Sequence, residues 1–331
     1  MNLPVWVWPI TIAGLGLMFA VDFFVVARRP HEPTMRECTW WVVCYVALAA
    51  VFGAVLAGTV GSDHSGEFFA GWITEYSLSM DNLFVFMLIM SRFAVPRAYR
   101  QKVLLVGIAL ALITRGAFIA LGAGALAHFD WLFYVFGAFL VYTAIKLAGH
   151  EEEEAEFSEN LVLRAVKRVL PTTHEYVGST LTARVGGRRM VTPMLIVMVA
   201  IGTTDVLFAL DSIPAIFGLT QEPYLVFTAN VFALMGLRQL FFLVGGLLDR
   251  LVYLSKGLAA VLGFIGVKLV LEALHGDGMT WAPQIPIAIS LGVIIGTLTL
   301  TAVVSLIRSG IDRRQELAAL AMERPPAEVE T

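Results

Sequence analysis

Two pairs of carboxylates recur at one spacing. Glu75 and Asp81 stand six residues apart, with Asn82 directly after the second acid. Asp205 and Asp211 repeat the spacing, with Ser212 in the place of Asn82. Both pairs lie inside apolar runs. The oxygen donors nearby, Ser79, Asn82, Ser212 and Asn230, complete a hard-ligand set. Such a set suits Mg²⁺, Ca²⁺ or Mn²⁺. His31, His64, His128, His150, His174 and His275 all fall in or beside loops, and Cys38 and Cys44 lie in a different apolar run. No Cys/His cluster therefore favours Zn²⁺ or Cu⁺. Met80, Met87 and Met90 read as packing residues.

Basic residues follow the acids in a matching order. Arg115 and Lys146 come after the first pair, Arg238 and Lys268 after the second. The two arginines are 123 residues apart and the two lysines 122. Acid, acid, Arg, Lys thus occurs twice, one charged group per apolar segment, which defines two three-helix units over 68–149 and 191–275. Three is odd, so the second unit must cross a membrane in the opposite sense. That is the inverted-repeat plan of secondary transporters, with the substrate site between the halves.

The elements that carry these charges must be membrane spans. The 331 residues are 58% hydrophobic and only 15% charged, with mean hydropathy +0.79. A soluble domain carries about 25% charge. This composition excludes a soluble enzyme and a disordered chain, and no enzymatic activity is expected. A net charge of −3 leaves no basic footprint for nucleic acid. Windows of about 20 apolar residues give nine spans, near 5–27, 39–60, 68–91, 103–127, 131–149, 191–217, 223–248, 254–275 and 283–307. Arg28 and Arg29 follow the first run and nothing basic precedes it, so it reads as a retained helix. Of the 23 Lys and Arg residues, 19 fall in alternate loops and the tail, and the other four are the buried bases named above. The opposite loops hold acids only, among them Asp63, Glu67, Asp130, Glu222 and Asp277. The positive-inside rule then sets the N-terminus outside and the C-terminus inside. Trp6, Trp8, Trp72, Trp131 and Trp281 fall near the outer ends, as an interfacial belt would.

The fold class is an all-α polytopic membrane protein. Two N-terminal spans cover 1–67 and a last span covers 276–308. A cytoplasmic loop fills 150–190 and a tail fills 309–331. The loop opens with four glutamates, Glu151 to Glu154, and continues into an amphipathic helix over 158–170 capped by Ser158. This loop is also the surface on which cytoplasmic protein partners would dock. Gly122, Gly124, Gly245, Gly246, Gly263 and Gly266 read as sites of close helix packing.

Carboxylates at mid-bilayer cost roughly 2.5–3.5 kcal/mol each on insertion scales. Four left bare cost on the order of 10 kcal/mol. They must pair, line a watery cavity or bind ions. Ion pairs with Arg115, Lys146, Arg238 and Lys268 absorb part of the charge. Asp22 and Glu272 add two more acids within spans, so six acids face four bases. The excess of about two negative charges matches one divalent cation. Residues i and i+6 of an intact helix differ by about 240° in direction and about 9 Å in height. Each pair converges on one ion only if its helix breaks, near Ser77, Ser79 and Asn82 or near Ser212 and Pro214. Otherwise one acid of each pair binds metal and the other meets an arginine.

The two acidic segments resemble the signatures of the TerC/Alx integral membrane family. The segments around Arg238 and Lys268 resemble its later stretches. The similarity spans about residues 5 to 308. It implies a multi-pass protein of a bacterial-type cytoplasmic membrane, similar in plan to LysE-type exporters. It also implies manganese efflux, with Glu75, Asp81, Asp205 and Asp211 as metal-binding acids. In one respect the chain departs from the pattern: many members carry Glu where Gly202 stands. The expected function is export of a divalent cation, Mn²⁺ foremost, by proton antiport, with no tightly bound cofactor and with the bilayer, the metal and protons as partners. The rivals are a non-transporting scaffold in tellurite or envelope-stress resistance and an exporter of a small organic cation. An acidic cavity repels tellurite, so tellurite itself is the least favoured cargo.

Overall fold

The computed structural model describes residues 6–28, 34–126, 128–129, 131–149, 173, 176–178, 180–185, 188–244, 253–279 and 281–323. It is a bundle of helices: α1 (Val7–Arg28), α2 (Met35–Thr59), α3 (Ser62–Arg92), α4 (Arg97–Leu126) and α5 (Leu132–Gly149), then α6 (Pro193–Phe217), α7 (Pro223–Leu234), α8 (Leu237–Val244), α9 (Leu254–Gly276) and α10 (Ile287–Glu323). Eight of the described helical segments are long and apolar enough to cross a membrane, α7 and α8 counting together over Pro223–Leu243. The described apolar part of α1, Val7–Val21, is shorter. Side chains at Asp22 and the amphipathic segment expected over 158–170 lie outside the described residues, as do Asp130, Gly245 and Gly246.

The architecture is that of the expected all-α polytopic membrane protein, with one local addition. Two short strands, β1 (Thr182–Val185) and β2 (Arg188–Val191), form an antiparallel hairpin within the long loop before α6. Alternation across four-residue runs is too short to detect against β-branched and basic residues. Tyr176 in the same loop donates its hydroxyl to the Phe93 carbonyl at 2.8 Å, which ties the loop to the C-terminal end of α3. Burial raises the Tyr176 phenol above its ordinary range.

Helix directions can be read from paired contacts. Val141 touches the Cβ position of Gly266, and Ala144 that of Gly263, so numbers rise along α5 as they fall along α9. The two helices are antiparallel. A Cβ on Gly137 would lie 2.9 Å from the Gly266 carbonyl, and one on Gly266 2.8 Å from that of Gly137. Only glycine allows this approach. Helices α3 and α6 are antiparallel too, since Gly71 meets Ile216 while Phe86 meets Phe208. Helices α4 and α6 run parallel: Gly107 faces Ile201, Gly202 faces Leu110 and Gly122 faces Phe217. Gly124, by contrast, has open space around it. Trp6, Trp131 and Trp281 are exposed, as a belt requires, whereas Trp72 packs against Phe69 and Tyr76.

Both acidic segments sit on unbroken helix. Ser77 folds its hydroxyl back on the Ile73 carbonyl at 2.8 Å, so α3 absorbs it without unwinding. Pro214 lies inside α6, which ends only three residues later. The break expected near the acids occurs instead in the seventh span. Met235 is extended (φ −64°, ψ 131°) and Gly236 has φ +84°, which ends α7 and starts α8 inside the bundle. The Tyr45 ring lies 3.0 Å from where a Gly236 Cβ would be. Gly236→Ala is therefore expected to cost about 1–2 kcal/mol from the left-handed backbone alone. Thermal unfolding in detergent should show a melting point lowered by several degrees, while Gly124→Ala leaves it unchanged. Equal melting for both variants contradicts the assignment.

Candidate functional site

One interaction joins the two halves of the chain. Arg115 of α4 reaches between Glu75 of α3 and Asp205 of α6. The guanidinium Nη1 pairs with Glu75 Oε1, and Nη2 lies 3.6 Å from Asp205 Oδ1. The three residues expose only 1%, 0% and 3% of their surfaces, so the cluster is shut off from solvent. Glu75 and Asp205 are the first acids of the two segments. They meet one arginine because α3 and α6 are antiparallel neighbours and α4 packs along α6. Ser79, one turn beyond Glu75, donates its hydroxyl to the same Oε1 at 3.2 Å. The other carboxylate oxygens, Glu75 Oε2 and Asp205 Oδ2, are buried with no hydrogen-bond partner.

The second acids have different surroundings. Asp81 is half-buried and faces the hydroxyl of Ser255, at the start of α9. Asp211 is half-buried as well. The Thr143 hydroxyl of α5 approaches its Oδ1 at 3.5 Å, a long contact, and Lys146 lies one turn further along α5, close enough to act on its charge. Each second acid therefore meets a hydroxyl from the third helix of the other three-helix unit. Gly71 against Ile216, and Thr220 donating to Glu67 at 2.6 Å, set the register of α3 on α6. Carried along both helices at 1.5 Å per residue, it confines all four acids to a slab about 10 Å high.

Glu75 and Asp81 do not converge, because α3 stays helical between them, and the same holds for Asp205 and Asp211 in α6. Of the two arrangements left open by the sequence, the arginine contact of the second is present, at Glu75 and Asp205. Among the described residues there is no group of three or more His, Cys, Asp or Glu side chains close enough to hold a metal. Ser212 and Asn230 are buried at 1% exposure, and the Ser212 hydroxyl and both amide atoms of Asn230 have no hydrogen-bond partner. Asn82 is buried at 7%. Asn230 adjoins Ala229, which touches the Cβ position of Gly71, one turn from Glu75.

The remaining bases do not repeat the role of Arg115. Arg238 is buried just after the helix break and lines a small cavity with Met18, Phe19, Tyr45 and Gln239. Lys268 is buried among the charges of Glu272 and Glu67. Three features had little sequence signal. Ser255 and Thr143 are single hydroxyls in apolar runs, legible only once their helices are placed. Glu67 collects His64 Nδ1 at 3.3 Å as well as Thr220, and on sequence alone looks like a loop acid. At Gly202, a Cβ would collide with the end of the Leu110 side chain, so a larger residue there requires Leu110 to turn away.

No solved structure matches the chain. An uncharacterized membrane protein of Mycobacterium tuberculosis, Rv2723, is 49% identical over 275 residues, which cover 82% of this chain and 69% of that protein. An uncharacterized membrane protein of Myxococcus xanthus is 39% identical, over 91% of this chain and 92% of its own length. A protein of Escherichia coli named putative membrane-bound redox modulator Alx is 34% identical, over 88% and 91%. The profile of the integral membrane protein TerC family matches residues 60–313. The chain, a multi-pass membrane protein, belongs to the TerC family.

Proposed function

We propose that the protein exports a divalent metal cation, Mn²⁺ foremost, from the cytoplasm of a bacterial-type cell, in exchange for protons. The observation that carries this reading is the placement of four acids, two buried and two half-buried, within one slab, where the first two share an arginine. A scaffold has no use for carboxylates at that depth, and each costs free energy there. The donors near them are oxygens: the acids, the hydroxyls of Ser79, Ser212, Ser255 and Thr143, and the amides of Asn82 and Asn230. That chemistry suits a hard cation. Metal binding to carboxylates displaces protons, so opposed metal and proton movement follows from the ligand type.

The reading includes nine spans, N-terminus outside, and two inverted repeats over spans 3–5 and 6–8. Support for the inversion comes from the contacts. Shifting the Val141–Gly266 contact by 122 residues, the separation of Lys146 and Lys268, gives the Ala144–Gly263 contact. A two-fold axis in the membrane plane generates pairs of this kind. Antiparallel α3 and α6 fit the same axis. Alternating access then consists of one three-helix unit moving against the other around the acids.

The redox role in the name of the Escherichia coli relative has no dithiol to work through in the described residues. Cys38 and Cys44 are both free thiols, one buried and one exposed. Six residues of helix separate them by about 9 Å in height, too far for a disulfide. An organic-cation exporter would set aromatic faces beside the acids. Phe84 turns outward at 39% exposure, and Tyr76 packs on Trp72.

In cells challenged with Mn²⁺, loss of the protein should raise total manganese. Asp81→Asn and Asp211→Asn should retain as much manganese as the null strain, while reaching the membrane in normal amounts. Normal export by both variants rejects the site. In everted vesicles, collapse of an imposed pH gradient should abolish Mn²⁺ accumulation. Accumulation indifferent to the gradient rejects proton exchange but leaves the cargo assignment intact.

A further inference from the structure

We propose that Arg115 is a tethered counter-cation, whose guanidinium occupies the cation position between Glu75 and Asp205 until the transported metal displaces it. The inference rests on the export reading and assigns a role to a residue outside its donor set.

Three observations converge on it. Arg115 comes from α4, whereas its two partners are the first acids of the two repeated segments, on α3 and α6. It therefore sits at the junction that any rearrangement of one unit against the other must open. Next, the guanidinium leaves half of the carboxylate oxygens unused. Glu75 Oε2 and Asp205 Oδ2 are buried without hydrogen-bond partners, in residues exposed by 0% and 3%, and Arg115 Nε is buried without one as well. An ion pair kept for stability alone would have these oxygens satisfied, because an unpaired buried acceptor is costly. Last, the charge balance is incomplete. With both carboxyls ionised, one guanidinium between them leaves one negative charge, enough to attract a cation. A divalent ion added beside the guanidinium would invert that charge and face a like charge at contact distance. Metal and guanidinium therefore exclude each other.

Exclusion of this kind supplies both halves of a transport cycle. With no metal bound, Arg115 keeps Glu75 and Asp205 from lying bare in the membrane, where unpaired carboxylates are expensive. With metal bound, the displaced guanidinium waits within reach and competes for the same oxygens, which weakens retention and promotes release. Apparent affinity falls by the fraction of protein in which the site is open. Removal of a clamp that is closed in about nine molecules of ten tightens binding about tenfold. Arg115 is thus a positioning residue: it acts through Glu75 and Asp205, and its own contact with the metal is repulsive.

The test uses the full chain in lipid nanodiscs, with Mn²⁺ alone as probe. Arg115→Gln is expected to bind Mn²⁺ about tenfold tighter than the unaltered protein, yet to release it about tenfold more slowly in proteoliposomes. Arg115→Lys keeps a tethered charge and should stay near the unaltered affinity. On the unaltered protein, modification of Arg115 by phenylglyoxal, located by peptide mass spectrometry, should rise when Mn²⁺ saturates the site. That measurement decides the matter if Arg115→Gln does not fold. Affinity that is unchanged or weaker in a monodisperse Arg115→Gln protein overturns the clamp, and so does labelling indifferent to Mn²⁺. In either case, Mn²⁺ binding and export by the unaltered protein still stand. Absence of Mn²⁺ binding to the unaltered protein overturns both the clamp and the export reading.

Discussion

A guanidinium enclosed between two carboxylates dictates much of the surrounding architecture. Breaking a buried ion pair by losing one partner costs about 3–5 kcal/mol. Three helices must therefore stay in register to within the reach of one arginine side chain. Small residues make this feasible. Gly71 lets α3 approach Ile216 of α6 and Ala229 of α7, and Gly107 and Gly202 let α4 and α6 close on one another. Apolar packing alone tolerates sliding between membrane helices, since lipid tails replace any lost contact equally well. The Arg115 cluster does not tolerate it. Tight helix packing at glycines and this polar junction specify the same arrangement.

The same interaction divides labour among the acids. Glu75 and Asp205 are fully buried and shared with Arg115, whereas Asp81 and Asp211 are half-buried and face hydroxyls of α9 and α5. The division follows from helix geometry. Six residues along an unbroken helix turn the second acid well away from the first. A segment with this spacing thus turns its first acid toward Arg115 of α4 and its second toward a hydroxyl of α9 or α5. The hydroxyls of Ser255 and Thr143 come from opposite units, so the second acids also tie the halves together, but with weaker and more replaceable contacts.

The sequence was informative where charge was scarce. In a chain with 15% charged residues, every charge within an apolar run is conspicuous, and their repeated order points to two three-helix units. Eight of the nine spans read from hydropathy coincide with long apolar helices among the described residues, although α3 begins at Ser62 and α4 at Arg97, several residues earlier than the apolar windows suggest. Polar first turns extend helices past the hydrocarbon without changing mean hydropathy. The position of the helix break was not legible. Serines and a proline beside the acids are stronger formal breakers than Gly236. Yet Ser77 and Thr204 bond back to carbonyls four residues earlier, and Pro214 falls near a helix end, so none unwinds the backbone. Gly236, at φ +84°, breaks the seventh span with Tyr45 of α2 packed against it, a contact nearly 200 residues distant and invisible to local pattern. Nor could spacing reveal that one arginine serves both units.

That asymmetry is what leaves the centre negative. The order acid, acid, Arg, Lys occurs twice, but its members have diverged in use. Arg115 lies in the interior of an unbroken 30-residue helix and faces the acids. Arg238 follows the break at Gly236 and lines the cavity beside Tyr45 and Met18, against α1 and α2. Lys146 bears on Asp211, while Lys268 bears on Glu272 and Glu67. Had both arginines reached Glu75 and Asp205, the cluster would be neutral and would hold no attraction for a further cation. With one, and with both carboxyls ionised, it carries a single negative charge, and two carboxylate oxygens lack hydrogen-bond partners. The broken seventh span thus has an electrostatic consequence as well as a geometric one: it carries Arg238 past the bend to the cavity beside Tyr45 and Met18, away from Glu75 and Asp205.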